Sequence, residues 1–169
     1  MTTILVTGGI GSGKSEVCRY LSAAGHPVYD CDSRCKSLYD TVPGLKSRIE
    51  KELKVPFDKL QSLFGDAEAI RRLEGMVFPY LLEDIARWKG SVNVDRCFIE
   101  SATAMDKSEF DGVYDEVWLV EADYHKRLER NPKVAQRSHL QHFDASKATR
   151  IIRNDGTLDE LHKSIENIL

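Results

Sequence analysis

Eight residues near the amino terminus, Gly8-Gly9-Ile10-Gly11-Ser12-Gly13-Lys14-Ser15, constrain this chain more than any other stretch. They match the pattern G-x-x-x-x-G-K-[ST]. Glycines at such spacing let successive backbone N–H groups turn inward and form a nest for phosphate oxygens. Gly9, Gly11, Ser12 and Gly13 are the candidate nest. Lys14 supplies a mobile cation for the β- and γ-phosphates, and Ser15 a hydroxyl where Mg²⁺ bridges them. The flanks agree with this reading. Ile4, Leu5 and Val6 make an apolar strand before the loop, and an amphipathic helix opens after it, with Glu16 in its first turn. A helix N-terminus at that point favours anions.

The rest of the chain alternates in the same way. Apolar strand-like runs fall at Thr3–Thr7, Pro27–Asp32, Arg96–Ser101, Val117–Ala122 and Thr149–Arg153. Their near-continuous apolar centres suit strands covered on both faces. Between the first two, Val17, Cys18, Leu21 and Ala24 share one helical stripe that stops at Gly25. At the far end Thr157-Leu158-Asp159-Glu160 forms a capping-box pattern before Leu161, Ile165 and Ile168. Strands alternating with helices predict an α/β fold with a parallel sheet. One gap is too long for a single crossover. From about 33 to 94 the pattern predicts helices at Leu45–Leu53, Asp66–Gly75 and Pro79–Lys89, with Pro79 in a first turn. We read one domain over 1–169 with a helical insertion there.

Composition narrows the partners. A net charge of −3 argues against nucleic acid, which usually demands a strongly basic domain. No apolar run reaches membrane-spanning length and the opening residues do not resemble a signal peptide. Cys18, Cys31, Cys35 and Cys97 lack the paired spacing of a disulfide framework or a zinc site. Reduced thiols and a cytoplasmic location are the expectation. A GTPase would carry Asn-Lys-x-Asp, which is absent, and Glu100 and Glu121 end strand runs without the acidic pair of a motor-type ATPase. A small-molecule kinase needs an acceptor pocket, a base and cations over the transferred group. Strand carboxyl ends line the ligand crevice of an open parallel sheet, so the acids of Tyr29-Asp30-Cys31-Asp32 are candidates. A carboxylate there can accept a hydroxyl proton or help hold hydrated Mg²⁺.

These segments together resemble the dephospho-CoA kinases, whose opening reads TGGIGSGK[ST], a helix, G-x-P-V and an Asp-x-Asp tip. Here they are Thr7 to Ser15, Gly25-His26-Pro27-Val28 and Asp30-Cys31-Asp32. Glu100-Ser101-Ala102 resembles a strand end of some bacterial members. Lys126 to Arg130 resembles the start of the family's lid, and Arg137 with Gln141 its Arg-x-x-x-Gln. Ala148 to Gly156, with Asn154, resembles the strand that runs past the adenine.

The resemblance implies a P-loop NTPase fold: five parallel strands in the order 2-3-1-4-5, helices on both faces, an acceptor-binding helical insertion and a short lid over about 126–144. It implies transfer of the ATP γ-phosphoryl to the ribose 3′-hydroxyl of dephospho-CoA. Asp32 is then the candidate base, Lys14, Arg130 and Arg137 the charge-neutralising groups, and Ser15 and Asp30 the Mg²⁺ ligands. Gly9, Gly11, Ser12, Gly13, Lys14, Ser15, Glu16 and Asn154 would hold the nucleotide.

The chain departs from the pattern on the acceptor side. It is short in the insertion and lid, and Phe78-Pro79 stands for His-Pro. Asn131 and Thr149 stand where Asp is usual. A kinase for another small hydroxylated or nucleotide-like acceptor, or a nucleotide-binding homologue with little transfer, are the alternatives.

Overall fold

The computed structural model describes residues 1–169, the side chain of Leu140 excepted. Along the chain run β1 (Thr2–Gly8), α1 (Lys14–Ala23), β2 (Val28–Asp30), α2 (Cys31–Thr41), α3 (Leu45–Leu53) and α4 (Ala67–Ser91). They are followed by β3 (Arg96–Glu100), β4 (Glu116–Glu121), α5 (Tyr124–Arg130), α6 (Val134–Arg137), β5 (Arg150–Arg153) and α7 (Leu158–Glu166). The chain divides into two units, 1–30 with 92–169, and 31–91.

The first unit holds all five strands in one parallel sheet of order β2-β3-β1-β4-β5, the order that the resemblance implied. β1 lies at its centre and is buried from Thr3 onward. Alternation sends Ile4, Val6, Phe98, Trp118, Val120 and Ile152 to one face, where they pack with Val17, Cys18 and Leu21 of α1 and Leu161 and Ile165 of α7. Phe98 and Trp118 meet edge-on there, with ring centroids 5.2 Å apart. Leu5, Ile99 and Leu119 point to the opposite face and are fully buried.

Two helix ends explain how α1 and α7 hold their places. α1 ends in a paired turn: His26 donates to the Leu21 carbonyl and Gly25 to that of Ser22, both at 3.0 Å. Gly25 sits at φ +90°, the left-handed geometry such a stop requires. α7 starts on the capping box expected from its sequence. Thr157 accepts from the Glu160 amide, and the Glu160 carboxylate accepts from the Thr157 amide at 2.7 Å.

The second unit is helical. Leu45, Ile49 and Leu53 of α3 pack with Met76 and Val77 of α4, and Tyr39 and Phe57 close the cluster edge-on. Arg34 of α2 pairs with Asp84 of α4 at 3.7 Å.

Strand ends elsewhere shift by one residue, and two differences from expectation are larger. Residues 66–75 and 79–89 were expected as separate helices, yet α4 is continuous and carries Pro79 inside it. Proline at that point gives up the bond to the Gly75 carbonyl. The apolar stripe of Met76, Val77, Phe78, Leu81 and Ile85 runs through the site, and its burial outweighs one missing bond. The second strand was expected to reach Asp32. It stops at Asp30, and Cys31 and Asp32 begin α2. Among the described residues no helix is long and apolar enough to cross a membrane.

Candidate active site

The loop between β1 and α1 is built on two left-handed glycines. Gly11 has φ +76° and lies so close to the backbone of Arg127 that a Cβ would collide with its carbonyl. Gly13 caps α1 with φ +101°, and a Cβ there would run into the Asn154 carboxamide. Both positions therefore admit glycine alone. No side chain caps α1, and among its first-turn amides that of Glu16 turns back to the Gly13 carbonyl at 3.0 Å.

The chain grips this loop from outside. The Asn154 side chain donates to the Ser12 carbonyl at 2.8 Å. Arg127 donates through Nε to the Ile10 carbonyl at 2.9 Å, and the Ile10 amide donates to Oε1 of Gln141, also at 2.9 Å. Arg130 donates to the carbonyls of Asn154 at 2.7 Å and Gly11 at 3.3 Å. The loop is thereby fixed before any ligand arrives, and preorganised donors are the ones that count in a transition state.

At the start of α1 two side chains turn toward the end of β3. Lys14 Nζ lies 2.9 Å from Oε1 of Glu100, and the Ser15 hydroxyl donates to the same oxygen at 2.7 Å. Asp30 stands opposite Glu100 in the parallel register of β2 and β3. Beneath them lies the Cys18 thiol, pushed far up by burial first and by the Glu100 charge second. It stays protonated and is no nucleophile. A cleft of about 630 Å³ opens over the loop, lined by Lys14, Ser15, Glu16, Arg19, Arg130 and Asn131. A second, of about 360 Å³, lies beside Ser12, Glu121, Arg127, Phe143 and Arg153.

The expected site residues divide accordingly. Gly9, Gly11, Ser12, Gly13, Lys14 and Ser15 form the loop, and Asn154 and Arg130 are bonded to it. Glu16, in the first turn of α1, is ion-paired with Arg19 and has His162 Nε2 at 3.5 Å. Arg137 closes α6. Asp32 lies in the first turn of α2, on the helical unit, where burial first, and then the charges of Cys35 and of Asp32, push the Tyr39 phenol up to about 12. Glu100, Arg127 and Gln141 had been read from sequence only as parts of family-like segments, and the structure gives each a contact to the loop or to the start of α1. The signal for Glu100 was its place at a strand end, which is where an open parallel sheet keeps its ligand chemistry.

A family model, "Dephospho-CoA kinase", matches residues 2–154. The chain belongs to the dephospho-CoA kinase family. A dephospho-CoA kinase of Porphyromonas gingivalis is 35% identical over 139 residues, which cover 77% of this chain and 68% of the relative. One from Frankia casuarinae is 30% identical over 99% of this chain and 82% of its own length. Among solved structures, a Thermus thermophilus protein superposes with a TM-score of 0.83 at 25% identity, covering 99% of this chain and 95% of that one. A dephospho-CoA kinase from Campylobacter jejuni superposes at 0.65 with 17% identity, over 98% and 94% of the two chains, a likeness of fold. Family membership makes this chain a kinase, a transferase of phosphoryl groups.

Proposed function

We propose that the chain transfers the γ-phosphoryl group of ATP to the ribose 3′-hydroxyl of dephospho-CoA, yielding coenzyme A and ADP, and that it does so in the cytoplasm. The observation that carries this reading is the pairing of a kinase-family loop with Lys14 and Ser15 held at the β3 tip.

The residues present fit the triphosphate and its metal. The loop offers uncapped amides at a helix start, and the buried Ser12 hydroxyl has no hydrogen-bond partner within the protein. The donors beside Lys14 are hydroxyl and carboxylate oxygens, the hard ligands that magnesium takes. Ser15 and Asp30 are the groups that would hold it. When bound, Mg²⁺ neutralises charge on the β- and γ-phosphate oxygens.

Each residue then has a task. The loop amides and Glu16's turn seat the phosphates, and Lys14 covers the oxygens that gain charge as the γ-phosphoryl leaves. Asn154 and Arg130 keep the loop carbonyls turned away from the anion. Asp32 accepts the proton of the ribose hydroxyl as its oxygen bonds to phosphorus and the bond to the β-phosphate oxygen breaks. Arg137 adds positive charge near the transferred group.

An ADP-release assay with dephospho-CoA beside a panel of nucleosides and sugars tests this directly. ADP formed with dephospho-CoA alone is the expected result. Turnover confined to another acceptor, or ATP binding with none, would replace it.

A further inference from the structure

Glu100 grips two of the loop's functional groups at once. Its Oε1 takes both the Lys14 ammonium at 2.9 Å and the Ser15 hydroxyl at 2.7 Å. It is nine-tenths buried, and strand pairing fixes it between Val6 of β1 and Asp30 of β2. The buried Cys18 thiol below it offers no positive charge. Lys14 is thus the cation that balances Glu100.

That balance has a consequence for the ligand. An ammonium carries three donors but a single charge. A bare triphosphate reaching for Lys14 meets the Glu100 carboxylate at the same nitrogen, and like charges at such range in a half-buried site repel strongly. A divalent cation bound with the phosphates would reverse the sign of that encounter. The Ser15 hydroxyl and a neighbouring carboxylate are the groups that would hold it, and Lys14 would then be left to the phosphates.

We infer that Glu100 is a positioning residue that makes nucleotide binding conditional on a divalent cation: it holds Lys14 and Ser15 in place beside the loop and opposes metal-free nucleotide. The inference rests on the reading that this loop takes Mg²⁺ and ATP.

The test is equilibrium binding, independent of turnover. ATP affinity is measured by calorimetry with Mg²⁺ and with EDTA, for the wild type, Glu100→Gln and Glu100→Asp. In Glu100→Gln the metal-free affinity should rise about tenfold or more, the size expected for removing one nearby like charge. The affinity ratio between the two conditions should fall by the same factor. Glu100→Asp keeps the charge and should keep most of the wild-type ratio. A second measurement needs no variant. Without metal, ATP should bind the wild type no tighter than ADP, whereas with Mg²⁺ it should bind tighter.

An unchanged ratio in Glu100→Gln, with Mg²⁺-ATP still binding the wild type, overturns the role of Glu100 and leaves the kinase reading standing. Metal-free ATP binding the wild type tenfold tighter than ADP overturns it as well. A wild type that binds no ATP under either condition removes the kinase reading and this inference together.

Discussion

Asn154 and Ser12 are joined across 142 positions of sequence by one hydrogen bond of 2.8 Å, from the Asn154 carboxamide to the Ser12 carbonyl. The bond ties the end of β5 to the phosphate loop. Asn154 is itself seated by its backbone amide on the Glu121 carbonyl at the end of β4. Three chain segments therefore meet at one buried side chain.

Asn154→Ala removes that bond and leaves the Ser12 carbonyl with only the longer contact from Arg130 at 3.5 Å. We expect a loss of about 1 kcal/mol in stability, the usual net worth of one buried hydrogen bond. Urea unfolding measures it. ATP affinity should weaken in parallel, because the loop loses its hold at Ser12.

Asp32→Asn separates binding from chemistry. Lys14, Ser15 and the loop amides are untouched, so ATP affinity should stay within about twofold while turnover falls by roughly 10² or more, the range for a lost general base. Calorimetry and the ADP-release assay report the two quantities. Equal turnover in the variant removes Asp32 from the role.

Acid stability should show the α7 cap. The Glu160 carboxyl is held below its ordinary value, first by the Thr157 amide and then by the Thr157 hydroxyl. A carboxyl lowered in the folded state adds stability above its unfolded pKa, and that stability is lost as pH falls through the folded value. Glu160→Gln should therefore be less stable than the wild type at pH 7, and the gap should close below about pH 4.5. Thermal unfolding across that range checks the sign.

Residues 126–144 should respond to ligand. If this stretch closes over ATP, its amides gain hydrogen-exchange protection when nucleotide, Mg²⁺ and dephospho-CoA are added. Unchanged exchange would assign it a purely structural task.

What the sequence disclosed follows the range of the interactions involved. The phosphate loop, the turn at Gly25 and the Thr157 cap are local, each written in a few adjacent residues, and each sits where the pattern put it. The strand order came through the resemblance, since spacing alone does not say which strand lies beside β1. Pro79 misled because a local rule about helix starts lost to the apolar stripe running past it. Asp32 was assigned to a strand because Val28 and Tyr29 are apolar and β-forming, whereas the backbone turns helical at Cys31. Glu100 and Gln141 were named in sequence without their loop contacts for one reason. Their contacts with Ser15 and Ile10 span 85 and 131 residues and exist only once the sheet has brought its strand ends together.

Ile10 surrenders both of its backbone polar groups to one stretch of chain, the carbonyl to Arg127 and the amide to Gln141. Those two anchors act like the ends of a strap pinned at a single buckle. The residues between them can be trimmed or lengthened only so far as the strap still returns to the same hole, and a stretch this abbreviated has little spare length to give. Its brevity is thus matched to the loop it fastens.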